Sequence, residues 1–348
     1  MHSFRSRMRL VCVTLGLVTG LSASAMAQTP PTVFQSWLTS LSKHGFGVTQ
    51  GSAVVSSVAY CNSVVVPVFG TCFLQDPNDP YIATLMPSSG EYVDPYFGQM
   101  DNQTLPNGGT GGSVFTLGTN EAEVTIINLP PQAAYFSYQG YVFTRPTNFY
   151  KRVSQISPDP SRADLFASYS NSINSVDILK QSGLSWGQGT IAIISTANAA
   201  LANALAKQFN AVGGSNNVIF TDPMGLNVHP GTDQTADDFI SLMRYLVPAN
   251  QTNSDNWLNN IANNMFVYRV DAPSGSASLL YATQTLLTKS YNFNETTYSS
   301  DVSELATIME SWLKTQESKP SYQIKQSGET EKVSQSGVIL SGDVGFAC

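Results

Sequence analysis

The segment 189–222 restricts the fold of this chain more than any other, because two apolar strand signals there flank a helix signal rich in alanine and leucine. Residues 190–194 form a continuous apolar run, 197–209 read as helix, Gly213 and Gly214 stop it, and 218–221 form a second strand. Strands joined through a helical crossover lie parallel in one sheet, and such a sheet needs layers on both faces. The segment therefore predicts a βαβ unit inside an α/β region.

A second helix is legible near the start. Phe34, Trp37, Leu38 and Leu41 recur at helical spacing, and Gly45 follows Lys43 and His44 as a stop. His44 is placed there as a cation favoured by the helix C-terminus, not as a catalytic base. Between residues 52 and 145 the signals turn to β, with runs at 52–60, 63–73, 81–86, 121–128 and 133–144 rich in Val, Ile, Tyr and Phe. Turn chemistry separates several of them, including a glycine-rich run at 107–112 that reads as a flexible hairpin loop. Residues 235–247 fit a helix through Phe239, Leu242, Met243 and Leu246, or a short buried strand before Pro248. Residues 255–262 and 301–313 read as helical and 265–270 as strand.

The expected class is mixed α+β. An antiparallel β-rich lobe with one N-terminal helix (28–150) packs on an α/β lobe (151–313), and the polar 314–348 form a tail or loop ending in a short strand.

Residues 1–27 read as a cleavable secretory signal peptide. Arg5, Arg7 and Arg9 lead an apolar run at 10–21, which is too short to anchor in a bilayer, and Ala25-Met26-Ala27 offers the small-x-small pattern a signal peptidase accepts. The expected location is periplasmic or secreted. No later stretch is long and apolar enough for a transmembrane helix. The formal net charge is -7, and loss of the leader arginines makes the remainder more acidic. A surface of that sign repels phosphate backbones, so nucleic acid is not an expected partner.

In an oxidising compartment Cys61 and Cys72 are expected to form a disulfide worth on the order of 3 kcal/mol. Cys348 is left over. Three thiols without CxxC spacing, together with scarce histidine, argue against a metal site, and no cofactor is expected.

Reactive side chains are few. Gly183-Leu184-Ser185-Trp186-Gly187 matches the spacing of a nucleophile elbow, but it precedes a strand and no helix follows it, so Ser185 is not read as catalytic. Ligands in open α/β sheets collect at the carboxyl ends of strands, where Ser195 and Asp222 fall, with His229 in the next loop. A hydroxyl, an imidazole and a carboxylate are what acyl transfer requires, since serine is a weak nucleophile until an oriented base takes its proton. The competing reading makes Ser195 or Thr196 a helix cap and leaves His229 on a solvated loop. Tyr135, Tyr141 and Phe143 share one face of the aromatic strand, and Phe136 and Tyr138 the other. An exposed aromatic face would stack a sugar or apolar ligand, and a buried one would be core. The acidic residues Asp76, Asp79, Glu91, Asp94 and Asp101 do not follow a calcium-loop pattern and read as solvated loops.

Two function classes follow. One is an exported, non-catalytic binding or envelope-associated protein with a glycan, small-molecule or protein ligand. The other is a secreted hydrolase acting through Ser195, His229 and Asp222.

Overall fold

A computed structural model of the chain describes residues 30–65, 80–88, 90, 92, 103–146 and 162–282. The leader, Cys72, Cys348, the acidic loop residues 76, 79, 91, 94 and 101, and the expected helix and tail after 300 lie outside the described residues.

Two mostly antiparallel sheets and a few helices form a mixed α+β fold, the class the sequence predicts. The first sheet has the order β1 (Gly47–Gln50), β13 (Met265–Asp271), β6 (Glu121–Asn128), β10 (Thr190–Thr196), β11 (Ile219–Pro223). The second runs β4 (Gln103–Thr104), β5 (Thr110–Gly112), β3 (Ile82–Pro87), β12 (Asp238–Pro248), β7 (Ala133–Pro146), β8 (Arg162–Ser168); β2 (Ser52–Val55) pairs with β3, and β9 (Ile173–Asn174) with β7. Both sheets draw strands from either side of residue 150, so the regions expected as successive lobes share their sheets. Antiparallel partners are selected by matching faces and registers, which sequence distance does not restrict.

The predicted βαβ unit is present. β10 and β11 pair in parallel through helix α3 (Ala199–Ala211), which follows α2 (Ser175–Ser182). Its cap is Asn198, not Ser195 or Thr196: the Asn198 carboxamide oxygen accepts from the backbone N–H groups of Ala200 and Leu201 at 3.0 and 3.2 Å. Helix α1 (Thr32–Lys43) buries Phe34, Trp37, Leu38 and Leu41 as its spacing predicts. The Trp37 indole donates to the Leu205 carbonyl at 3.0 Å, and Phe34 stacks on Phe209 at 4.9 Å between centroids. His44 donates from Nδ1 to the Ser40 carbonyl at 2.8 Å, closing the end of α1.

The first sheet is buried on both sides. Ala122, Val124, Ile126, Ala192, Ile194, Phe266 and Val270 face α1 and α3, whereas Ile127, Ile191, Ile193, Met265 and Val267 face the second sheet. The period-2 alternation of a strand separates these two sets, and each large apolar side chain so buried contributes about 2 kcal/mol. The layers therefore run helices, first sheet, second sheet.

Residues 238–248 form a strand, not a helix. Phe239, Ser241, Met243 and Tyr245 point inward at period 2, and hydrogen bonding to β7 on one side and β3 on the other outweighs the helical spacing. Val58–Tyr60 and Cys61–Val65 are helical turns, although strands were expected over 52–60 and 63–73. Residues 107–109 lie in the turn between β4 and β5, while 110–112, expected as loop, form β5 itself, and 185–188 make a turn that leads into β10.

Candidate functional site: a buried carboxyl and hydroxyl cluster

The register of the first sheet aligns polar residues in one row. Arg269 pairs with Glu123, Glu123 with Ser195, and Ser195 with Asp222, across β13, β6, β10 and β11. Paired residues project from the same face, and this row faces the second sheet. The second sheet answers with hydroxyls: Tyr138 from β7, Ser241 from β12, and Tyr169 and Ser170 at the end of β8. Every one of these side chains is buried.

Asp222 is the most heavily bonded member. It accepts from Tyr169 Oη at 2.9 Å, from Ser195 Oγ at 3.1 Å, and from Ser170 Oγ. Tyr138 Oη lies 3.1 Å from Ser195 Oγ, linking that serine across to the second sheet. Glu123 accepts from Ser241 Oγ at 2.7 Å and, more distantly, from Thr125 Oγ1 at 3.4 Å. Burial pushes the Asp222 carboxyl up to about 6, against the pull of its three hydroxyl donors. Burial also raises Glu123, opposed by the neighbouring hydroxyls of Ser241, Thr84 and Tyr138, with Asp222 pushing further upward. Tyr138 and Tyr169 are held well above the usual phenol range, first by burial and then by the carboxyls beside them.

Among the described residues, neither carboxyl has a cation beside it. Arg269 is Glu123's neighbour in register, but its guanidinium binds the carbonyls of Pro87 and Thr116 and the Glu121 carboxylate at 2.7 Å. The contrast with the adjacent acids is direct. Asp237 takes a two-pronged bond from Arg145 at 2.6 and 2.7 Å, and Asp238 lies 3.0 Å from Arg162, which is itself buried.

Of the residues proposed for acyl transfer, the structure brings Ser195 and Asp222 together and sets His229 elsewhere. The His229 side chain is 59% exposed, and its Nδ1 lies 3.7 Å from Asp237 Oδ1. Ser195 is 0% exposed and gives its proton to a carboxylate, which cannot act as the oriented imidazole base of a triad. Ser185 sits in an exposed turn.

The aromatic set divides. Tyr141 and Phe143 are buried, with Phe166 of β8 stacked on Tyr141 at 4.9 Å and edge-on to Phe143 at 5.5 Å. Tyr135 is half-buried and stands opposite Leu246. Cys61 is buried and disulfide-bonded.

Compared with protein-family models, curated proteins and solved structures, the chain matches none.

No set of three or more His, Cys, Asp and Glu side chains is arranged to hold a metal among the described residues. No described helix is long and apolar enough to cross a membrane. Sequence reasoning missed Glu123, Tyr169, Ser170 and Ser241. The signal available was the alternation of Glu121, Glu123 and Thr125 with apolar residues inside 121–128, which reads as the wet face of a strand until a second sheet covers it.

Proposed function

We propose that the protein is exported and works without catalysis, as a binding or envelope-associated protein of the extracytoplasmic space. The observation that carries this reading is the state of Ser195. Its hydroxyl is closed to solvent and bonded to Asp222 and Tyr138, so the strand ends where an α/β enzyme keeps its reactive groups hold a structural network. The leader at 1–27 supports export, and a Cys61–Cys72 disulfide suits the same oxidising surroundings. The ligand belongs to the classes that an acidic, uncharged-polar surface tolerates: a glycan, a small molecule or another protein. On the aromatic strand, Tyr135 beside Leu246 is the member with surface to offer, because Tyr141 and Phe143 are packed under Phe166.

The test uses the secreted chain on a broad panel of esters and amides, alongside glycan and protein retention assays with wild type and Tyr135→Ala. The reading expects no turnover, and retention that Tyr135→Ala weakens without lowering stability. Turnover that disappears in Ser195→Ala while the fold survives would return the chain to acyl transfer.

A further inference from the structure

The two carboxyls of the buried cluster lie in one solvent-free network, and the donors around them are unequal. Asp222 receives three hydroxyl protons, from Tyr169, Ser170 and Ser195, which is the coordination of an anion. Because Ser195 gives its single proton to Asp222, the hydrogen in the Tyr138–Ser195 contact must come from Tyr138. Tyr138 therefore has no proton left to offer Glu123, although its hydroxyl stands beside that carboxyl. Glu123 keeps one short hydrogen bond, from Ser241, and one long one, from Thr125, while the Thr84 hydroxyl beside it is buried without a hydrogen bond.

Groups from each packed element face the pair. They are Thr84 of β3, Ser241 of β12 and Tyr138 of β7 around Glu123, and Ser195 of β10, Tyr169 and Ser170 around Asp222. Arg269 of β13 is turned to Glu121 and two carbonyls. No positive charge faces either acid among the described residues. An isolated ionised carboxylate in such surroundings is so costly that the group takes up a proton instead.

We infer that Glu123 remains a neutral carboxylic acid in the folded protein at neutral pH, with Asp222 as the anion, and that this retained proton is part of the clamp joining the two sheets. The proton sits on the carboxyl with fewer donors. From there the hydroxyls run in one direction, from Glu123 past Tyr138 and Ser195 to Asp222. Removing it places two negative charges in one dry network between β6, β7, β10, β11 and β12, and the sheets then repel where they now bond. The clamp is tightest in acid and loosens as the medium becomes alkaline.

Infrared spectroscopy of the full chain at pH 7 tests this, using wild type labelled with carbon-13 in either the glutamate or the aspartate carboxyls. The expected result is a protonated-carboxyl stretch that shifts with the glutamate label and is lost in Glu123→Gln. If that variant does not fold, the two labels in wild type still decide which residue type holds the proton. Absence of the band, a band that follows only the aspartate label, or a band that persists in a folded Glu123→Gln protein would overturn the assignment. The clamp itself is read by amide hydrogen exchange as pH is raised. Loss of the band should accompany about a tenfold rise in exchange in β6, β7 and β12 beyond the intrinsic effect of base, which is about 1.4 kcal/mol of opening. Exchange that follows only the intrinsic effect would remove the clamp from the proposal.

Discussion

Tyr169 lies across Gly140. A β-carbon at Gly140 would come within 2.7 Å of Tyr169 Cε1 and would overlap its Cζ and hydroxyl. The missing side chain opens a lane over β7 through which the Tyr169 phenol reaches Asp222 at 2.9 Å. Glycine is required there by close approach, not by backbone conformation. Gly140→Ala is expected to destabilise by about 3 kcal/mol, combining overpacking with the loss of a bond to a buried carboxylate. Urea denaturation of Gly140→Ala, Tyr169→Leu and the double variant checks the pairing. The double variant should cost clearly less than the two single changes added, and simple additivity would show that the contact is not what fixes Gly140.

Asp222 makes stability depend on pH in a defined direction. Its folded value of about 6 lies above the usual unfolded value of about 4, so the folded state binds the proton more tightly. The stabilisation from that proton is complete below about pH 4 and is lost as pH rises to about 6, amounting to about 3 kcal/mol. The difference between wild type and Asp222→Asn is the quantity to measure, because it separates this group from the titration of every other acid. Between about pH 4 and pH 6 the variant should gain stability relative to wild type. Parallel profiles would contradict the burial-driven shift.

Arg269, the one arginine in the described strands of the first sheet, is expected to be sensitive to substitution. Its side chain is 1% exposed and joins β13 to Pro87 and to the segment carrying Thr116 and Glu121. Arg269→Leu should cost about 3 kcal/mol by leaving two carbonyls and a carboxylate without their donor. Arg269→Lys should fall between, since an ammonium cannot reproduce the guanidinium fork. Thermal unfolding ranks the three proteins, and a lysine variant equal to wild type would reduce the role of Arg269 to charge alone.

Ser195 and His229 should respond differently. Ser195→Ala removes a buried donor to Asp222 and is expected to lower stability by about 2 kcal/mol. His229→Ala removes an exposed side chain and should stay within about 0.5 kcal/mol of wild type. The backbone N–H of His229, which donates to Asp237 at 2.8 Å, survives the substitution. Equal losses in the two variants would mean that His229 supports the fold in a way its exposure does not suggest.

The local elements were largely legible. Segments whose neighbours in sequence are also their neighbours in space declare themselves: α1 through Phe34, Trp37, Leu38 and Leu41, and the β10–α3–β11 crossover through its apolar run, its helix and its glycine stop. The two faces of β7 were equally plain from alternation, with Phe136 and Tyr138 turned to the core between the sheets. At 238–248 the spacing fitted helix and strand alike, and two flanking strands decided it.

The site was half legible. Ser195 and Asp222 were singled out because strand ends in a parallel pair attract function, and they do meet. His229 was joined to them by sequence proximity, yet Asp237 and Arg145 hold its loop in another place.

By itself the amino-acid sequence determined α1, the parallel crossover and the two faces of β7, because those depend on short-range periodicity. Tertiary structure alone decided that Glu123 is dry. Glu121, Glu123 and Thr125 alternate with Ala122, Val124 and Ile126 as the polar face of a half-wet strand would, and only the arrival of β3, β7 and β12 over that face excludes water from it. Burial is set by what comes to lie opposite, and a strand's own residues carry no record of that.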